Sequence, residues 1–227
     1  MNRSDVAKII DHTIVRANAT VFDVEKYCRE AKEYGFRAVG VASCYVKLAK
    51  HLLEGSKVKV CAGVSFPFGS ASTDAKVLEA KRCVEEGADD IDMVMNIGLF
   101  KSQRYDEVKR DIESVVAVSR KTGDRIGKDI LFKVILEVGY LSDEEIKKAS
   151  LIVKDAGADV IKTCTGYGPR GPTPHDIRLI REAVGKSVMI KAAQGINTLQ
   201  KLIELLNSGA DFIGSSKSVS IIEELPP

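Results

Sequence analysis

The sequence predicts a single (β/α)8 TIM barrel of the α/β class, on three observations. A helix-to-strand joint recurs along the chain. The strand segments are near-continuous apolar runs. No linker or compositional break divides residues 1–227. The joint is seen in "EYGFRAVGVA" (Glu33 to Ala42), "EEGADDIDMV" (Glu85 to Val94), "DAGADVIKT" (Asp155 to Thr163) and "NSGADFIGSS" (Asn207 to Ser216). Each places polar residues, a glycine and a short link ahead of an apolar run. Gly35, Gly87, Gly157 and Gly209 follow amphipathic stretches, and a helix ends readily at a glycine that accepts the left-handed conformation. Strands that are apolar throughout belong to a parallel sheet covered on both faces. Eight such pairs suit a closed barrel. A doubly wound open sheet is the alternative with the same element order.

The predicted strands are Asp11–Val15, Phe36–Ala42, Val58–Phe66, Asp90–Asn96, Leu131–Glu137, Asp159–Cys164, Ser187–Ala192 and Phe212–Ser215. Helical patterns follow them near 20–34, 45–54, 73–86, 105–122, 143–155, 174–184, 198–207 and 217–224. Ser142 with Glu145 reads as a capping box, and Asn197 with Gln200 as a looser one. Thr173 followed by Pro174 reads as a cap with proline in the first helical turn.

Composition narrows the class. At 44% hydrophobic and 29% charged, with a net charge of +2, the chain is an ordinary globular one. Its charge is too balanced for a nucleic-acid binder. No apolar run approaches the length of a membrane span, and the N-terminus has no apolar signal core. The cysteines at 28, 44, 61, 83 and 164 are odd in number, form no Cys-x-x-Cys pair and lie apart from zinc-like histidine spacing. Free thiols in a reducing cytoplasm are expected.

In such a barrel alternate strand residues face the interior, and chemistry gathers at the C-terminal strand ends. The polar residues there are Asp11, Asp92, Lys133, Glu137, Lys162, Lys191, Ser215 and Ser216. Lys162 directly follows Val160 and Ile161, although an unpaired ammonium is costly to bury. One lysine at a strand end can simply reach for solvent. Two lysines and an aspartate converging on one mouth suggest a nucleophilic amine that attacks a carbonyl to form a Schiff base. A lysine of pKa about 10.4 is neutral roughly once in 2,500 at pH 7, and lowering that pKa to 7 requires about 4.6 kcal/mol. A second ammonium about 5.5 Å away supplies roughly 3 kcal/mol at an effective dielectric near 20. Spacing leaves open which of Lys162 and Lys191 is the nucleophile. Small residues follow both, Thr163 to Gly166 in one case and Ala192 to Gly195 in the other.

Asp92 reads either as a counter-ion to a lysine or as a proton relay, and Asp11 either as a turn cap or as a site residue. His12 reads as structural, His175 as a surface residue and Cys164 as a small packed thiol. "GYGPRG" matches Gly-x-Gly-x-x-Gly at 166, 168 and 171, but Pro169, Pro172 and Pro174 delay the helix that a dinucleotide site needs. "GSSKS" (Gly214 to Ser218) closes the last strand and opens a short helix. It reads either as a plain serine helix cap or as an anion site of backbone N–H groups and hydroxyls, to which the Gly195 backbone, lacking a side chain, is open to approach.

Along almost its whole length the chain resembles the deoxyribose-phosphate aldolase family. The resemblance rests on "DHT" at 11–13, "FPFGSASTDAKVLEA" at 66–80, "GADDIDMVMNIG" at 87–98, "KVILE" at 133–137, "VIKTCTGYG" at 160–168, "IKAAQGI" at 190–196 and "IGSS" at 213–216. It implies a (β/α)8 barrel that reversibly cleaves 2-deoxy-D-ribose 5-phosphate to acetaldehyde and D-glyceraldehyde 3-phosphate, in deoxyribose phosphate catabolism. It implies no metal or organic cofactor, small-molecule partners and a homo-oligomer, dimer or tetramer. It makes Lys162 the Schiff-base lysine, Lys191 the second lysine and Asp92 the proton relay, with Asp11 and Lys133 in support. Phosphate and substrate contacts fall on Thr165, Gly166, Gly195, Gly214, Ser215 and Ser216. The chain departs from the family pattern at Cys164, usually serine; at Gln194 to Thr198, usually Gly-Gly-x-Arg-Thr; at Gly40 to Ser43, usually Cys-Val-Asn-Pro; and at its end, Leu225-Pro226-Pro227, where some members have a tyrosine. Alternatives are another Schiff-base aldolase of sugar phosphates and a non-catalytic sugar-phosphate-binding barrel.

Overall fold

In the computed structural model, which describes residues 2–226, eight parallel strands close into one barrel. They are β1 (Ile10–Ile14), β2 (Ala38–Val41), β3 (Lys59–Val64), β4 (Asp90–Val94), β5 (Leu131–Ile135), β6 (Val160–Lys162), β7 (Met189–Ala193) and β8 (Phe212–Ser215). Each pairs with the next, and β8 returns to β1 with Asp11 opposite Gly214. That last pairing excludes the open sheet. The helices are α1 (Arg3–Ala7), α2 (Val21–Tyr34), α3 (Val46–Leu52), α4 (Thr73–Glu85), α5 (Ile97–Lys101), α6 (Tyr105–Arg125), α7 (Asp143–Asp155), α8 (Pro174–Val184), α9 (Leu199–Asn207) and α10 (Ser218–Glu223).

The joint glycines do what the pattern required: Gly35, Gly87, Gly157 and Gly209 all hold positive φ. The capping boxes at Ser142/Glu145 and Thr173/Asp176 are formed, and Thr20 with Asp23 makes another at the start of α2. The outward strand side chains, such as Ile91, Met93, Phe132 and Val134, are fully buried under the helices. Hydrophobic burial thus locks the strands in place, and the inward positions are left free for charge.

Several boundaries differ from expectation. β3 stops before Phe66 because Ser65 turns to a φ of 52°. β7 starts at Met189 because the Ser187 hydroxyl donates to the Val184 carbonyl at 2.8 Å, extending the turn after α8. The cap of α9 is Thr198, whose Oγ1 accepts from the Lys201 N–H at 3.2 Å; the expected pair Asn197 and Gln200 makes no cap. The five-residue α1 and α5, capped by Asn2 and Asn96, were not predicted; neither is long enough to show a helical period.

Candidate active site

Strand alternation turns Asp90 and Asp92 of β4 to the barrel interior, with Lys133 of β5, Lys162 of β6, Lys191 of β7 and Asp11 of β1. Lys162 and Lys191 are register partners on adjacent strands. Both ammoniums bond the same oxygen, Asp92 Oδ2, Lys162 at 2.7 Å and Lys191 at 3.0 Å. Lys191 also lies 2.5 Å from Asp11 Oδ2. Lys133 lies 2.6 Å from Asp90 and 3.0 Å from Asp92. Arg37, just ahead of β2, reaches in from the barrel's N-terminal end to Asp11 at 2.6 Å and to Asp90. Asp11 Oδ2 and Asp92 Oδ1 accept no well-directed hydrogen bond. Lys191 and Lys133 face them at ion-pair distance but off the bonding axis.

The charges do not balance. Four cations (Arg37, Lys133, Lys162, Lys191) meet three carboxylates (Asp11, Asp90, Asp92), so one positive charge is in excess. Lys162 has the fewest compensating contacts, a single carboxylate that it shares with two other ammoniums. Burial by itself would push the Asp92 carboxyl up; the charges of Lys133, Lys162 and Lys191 outweigh it and hold the group well below the usual carboxylate range. Asp11 is likewise held low against its burial, by Lys191, Arg37 and Lys133. Burial lowers Lys133 and Lys191, but Asp90 and Asp92 raise the first, and Asp11 and Asp92 the second, above the ordinary lysine value.

One group of metal-ligand type stands out among the described residues, Asp11, Cys61 and Asp90, with ligand atoms within 4.8 Å of one another. It does not suit a metal ion. The Arg37 guanidinium and the Lys133 ammonium already occupy the cation positions on its carboxylates, and burial pushes the Cys61 thiol up to about 12.

The depressed carboxyls have a consequence for stability. The unfolded chain protonates Asp92 near pH 3.8, whereas the folded carboxyl stays ionised well below that. Its contribution is therefore complete above the unfolded pKa and is lost as pH falls below it. In urea titrations the stability gap between the parent and Asp92→Asn should be constant above about pH 5 and shrink below about pH 4. A gap that widens towards acid would contradict the arrangement.

At the C-terminal end of the strands a cavity of about 360 Å³ opens to solvent. Lys162 is the one ammonium of the cluster that lines it, together with Thr165, Gly166, Gly195, Gly214, Ser215 and Ser216. All the residues expected to hold phosphate thus share one cavity with the expected nucleophile. Lys133 and Asp11 do not line it. Both lie deeper in the barrel, and Asp11 is a strand residue rather than a turn cap. The Ser215 hydroxyl is already engaged, donating to the Ile196 carbonyl at 2.7 Å and accepting from the Lys217 N–H at 2.9 Å. Helix α10 starts only at Ser218 and has six residues, so Gly214 and Ser215 end β8 and Ser216 follows it in the link, outside any helix N-terminus. Gly214 has a packing duty as well: a Cβ there would stand 3.1 Å from Lys191 Cε.

His12 is structural, as expected. Its Nε2 meets Glu30 at 2.9 Å and its ring stacks on Tyr27. His175 is at the surface against Asp143, and Cys164 is buried. Sequence reasoning missed Arg37, Arg16, Tyr27 and Tyr167, and it left Glu137 without a role. Glu137 accepts from the Thr165 N–H at 3.0 Å and from its hydroxyl, fixing the turn after Lys162. Arg37 carried one available signal, a charged residue at the edge of an apolar strand.

Residues 5–214 match a family described as DeoC/LacD family aldolase. The deoxyribose-phosphate aldolase of Thermoanaerobacter sp. (strain X514) is 46% identical over 97% of this chain and 96% of its own. That of Thermococcus kodakarensis is 45% identical over 100% of this chain and 99% of its own. A solved structure, the tetrameric deoxyribose phosphate aldolase of Aeropyrum pernix, superposes with a TM-score of 0.90 at 30% identity, covering 98% of this chain and 92% of that one.

Proposed function

The chain belongs to the DeoC/LacD family of aldolases and is a carbon–carbon lyase, and we propose that it cleaves 2-deoxy-D-ribose 5-phosphate through a Schiff base on Lys162. One observation carries the reading: a buried charge cluster with one cation in excess sends a single ammonium, Lys162, into the cavity. Loss of that proton balances the cluster and leaves a poorly hydrated amine facing the substrate.

The amine attacks C1 of the open-chain sugar. The carbinolamine loses water to give an iminium, which draws electrons from the C2–C3 bond. The C3 hydroxyl gives up its proton as that bond breaks, and D-glyceraldehyde 3-phosphate leaves. The remaining enamine is protonated on carbon and hydrolysed to acetaldehyde, freeing Lys162. Asp92 does not line the cavity. It therefore takes up the C3 hydroxyl proton, and returns a proton to the enamine carbon, through a water. Lys191 keeps the cluster positive, and Asp11 and Lys133 hold Lys191 and Asp92 in position. The phosphate rests on the N–H groups of Gly166, Gly195 and Gly214 to Ser216, with Thr165 beside them. Each hydrogen bond to such an anion contributes roughly 1.5–3 kcal/mol.

The same reading makes the protein a homo-oligomer, supported by the tetrameric relative and by exposed Phe22, Phe68 and Leu78. It places the enzyme in the cytoplasm, in deoxyribose phosphate catabolism. The five cysteines, free in this fold, fit a reducing compartment. Among the described residues no helix is long and apolar enough to cross a membrane. The test is a coupled assay with 2-deoxyribose 5-phosphate. Acetaldehyde and D-glyceraldehyde 3-phosphate should appear in equal amounts; no turnover of this sugar by the folded protein would refute the assignment.

A further inference from the structure

We propose that Arg16 is the cationic contact for the substrate phosphate, reached by exchanging Asp23 for the phosphate. This rests on the sugar-phosphate reading above and adds a specificity residue to it. Two side chains lining the cavity carry positive charge, Arg16 and Lys162, and no carboxylate lines it. Lys162 is committed to the carbonyl carbon. For a phosphate dianion at the other end of a five-carbon chain, Arg16 is the remaining cationic side chain of the lining.

Arg16 is held where it can serve. It follows β1 at the edge of the mouth. The carbonyl of Val15, just before it, accepts the Tyr167 hydroxyl at 3.1 Å, which ties this loop to the turn between β6 and α8. The guanidinium pairs with Asp23 in the first turn of α2. Tyr27, one turn further along α2, donates its hydroxyl to the Ser216 carbonyl at 3.2 Å. Side chains four residues apart on a helix are neighbours on one face. The guanidinium is thus held on the face of α2 that Tyr27 ties to Ser216, and it lines the same cavity as Gly214 to Ser216.

The present partner gives way easily. The Arg16 side chain is 49% exposed, and an ion pair so open to water is weak. Asp23 does not depend on it, because its carboxylate also accepts the Thr20 N–H and hydroxyl, each at 2.8 Å. A phosphate offers the planar guanidinium two parallel hydrogen bonds and twice the charge.

The test uses glycerol 3-phosphate, which carries the phosphate but no carbonyl, in calorimetric titrations of the full chain at low and high salt. Arg16→Gln should bind it about tenfold more weakly and lose most of the salt dependence. Asp23→Asn frees the guanidinium yet keeps an acceptor for Thr20, and should bind the probe as tightly as the parent or more so. The ratio of kcat/KM for 2-deoxyribose 5-phosphate over 2-deoxyribose should also fall about tenfold in Arg16→Gln. Unchanged probe binding by Arg16→Gln, or equal weakening by both variants as a mere structural tie would give, overturns the proposal. Borohydride trapping of acetaldehyde keeps the two readings apart. Trapping on Lys162 with unchanged phosphate binding sinks the role of Arg16 alone. No trapping, with weakened phosphate binding, sinks the Schiff-base reading and leaves Arg16 a phosphate residue.

Discussion

Lys162→Met is expected to lower kcat on 2-deoxyribose 5-phosphate by at least about a thousandfold, because no other group can form the imine. The fold should not suffer. Methionine fills much of the lysine stem's volume, and its loss of charge removes the one cation in excess, leaving three cations against three carboxylates. Stability in urea should therefore equal or exceed the parent's, as when a strained functional residue is replaced. The two readouts separate a chemical role from a structural one. A folded Lys162→Met enzyme that retained a tenth of its activity would exclude Lys162 as nucleophile.

Lys191→Met is expected to move the rise of kcat/KM to higher pH. The sign follows from the charge count. In the parent the cluster is balanced when one amine is neutral, whereas without Lys191 it is balanced only when Lys162 keeps its proton. Asp92, relieved of one ammonium at 3.0 Å, also binds the Lys162 ammonium more tightly. Activity at pH 7 should fall with the shift. A second substitution tests the count itself. Adding Asp11→Asn to Lys191→Met restores one excess cation, and the profile should return towards the parent's. An unmoved profile in the single variant, or no return in the double, would show that the cluster's charge does not set the state of Lys162.

The barrel was legible because its signals are local and repeated. Each joint glycine marks a helix end, and each apolar run records burial on both faces. Lys162, Lys191 and Asp92 stood out because charge within such runs needs a reason. The cluster as a whole was not legible. Arg37 precedes β2, and its contacts with Asp11 and Asp90 exist only once β1, β2 and β4 curve around one axis. For the same reason Lys133, expected near the mouth, proves to be fully buried under it. The sharing of one Asp92 oxygen by Lys162 and Lys191 depends on strand register, which composition does not encode. Arg16 sits in a short loop, Val15 to Thr20, that carries no motif, and only the Tyr167 and Tyr27 contacts reveal its place.

The central claim is that the amine of Lys162, and not that of Lys191, forms the covalent intermediate. Incubation with acetaldehyde and borohydride, followed by peptide mapping, tests it most directly. Reduction should fix one two-carbon unit per chain, on the peptide carrying Lys162. An adduct on Lys191, or none on the folded enzyme, would contradict the account.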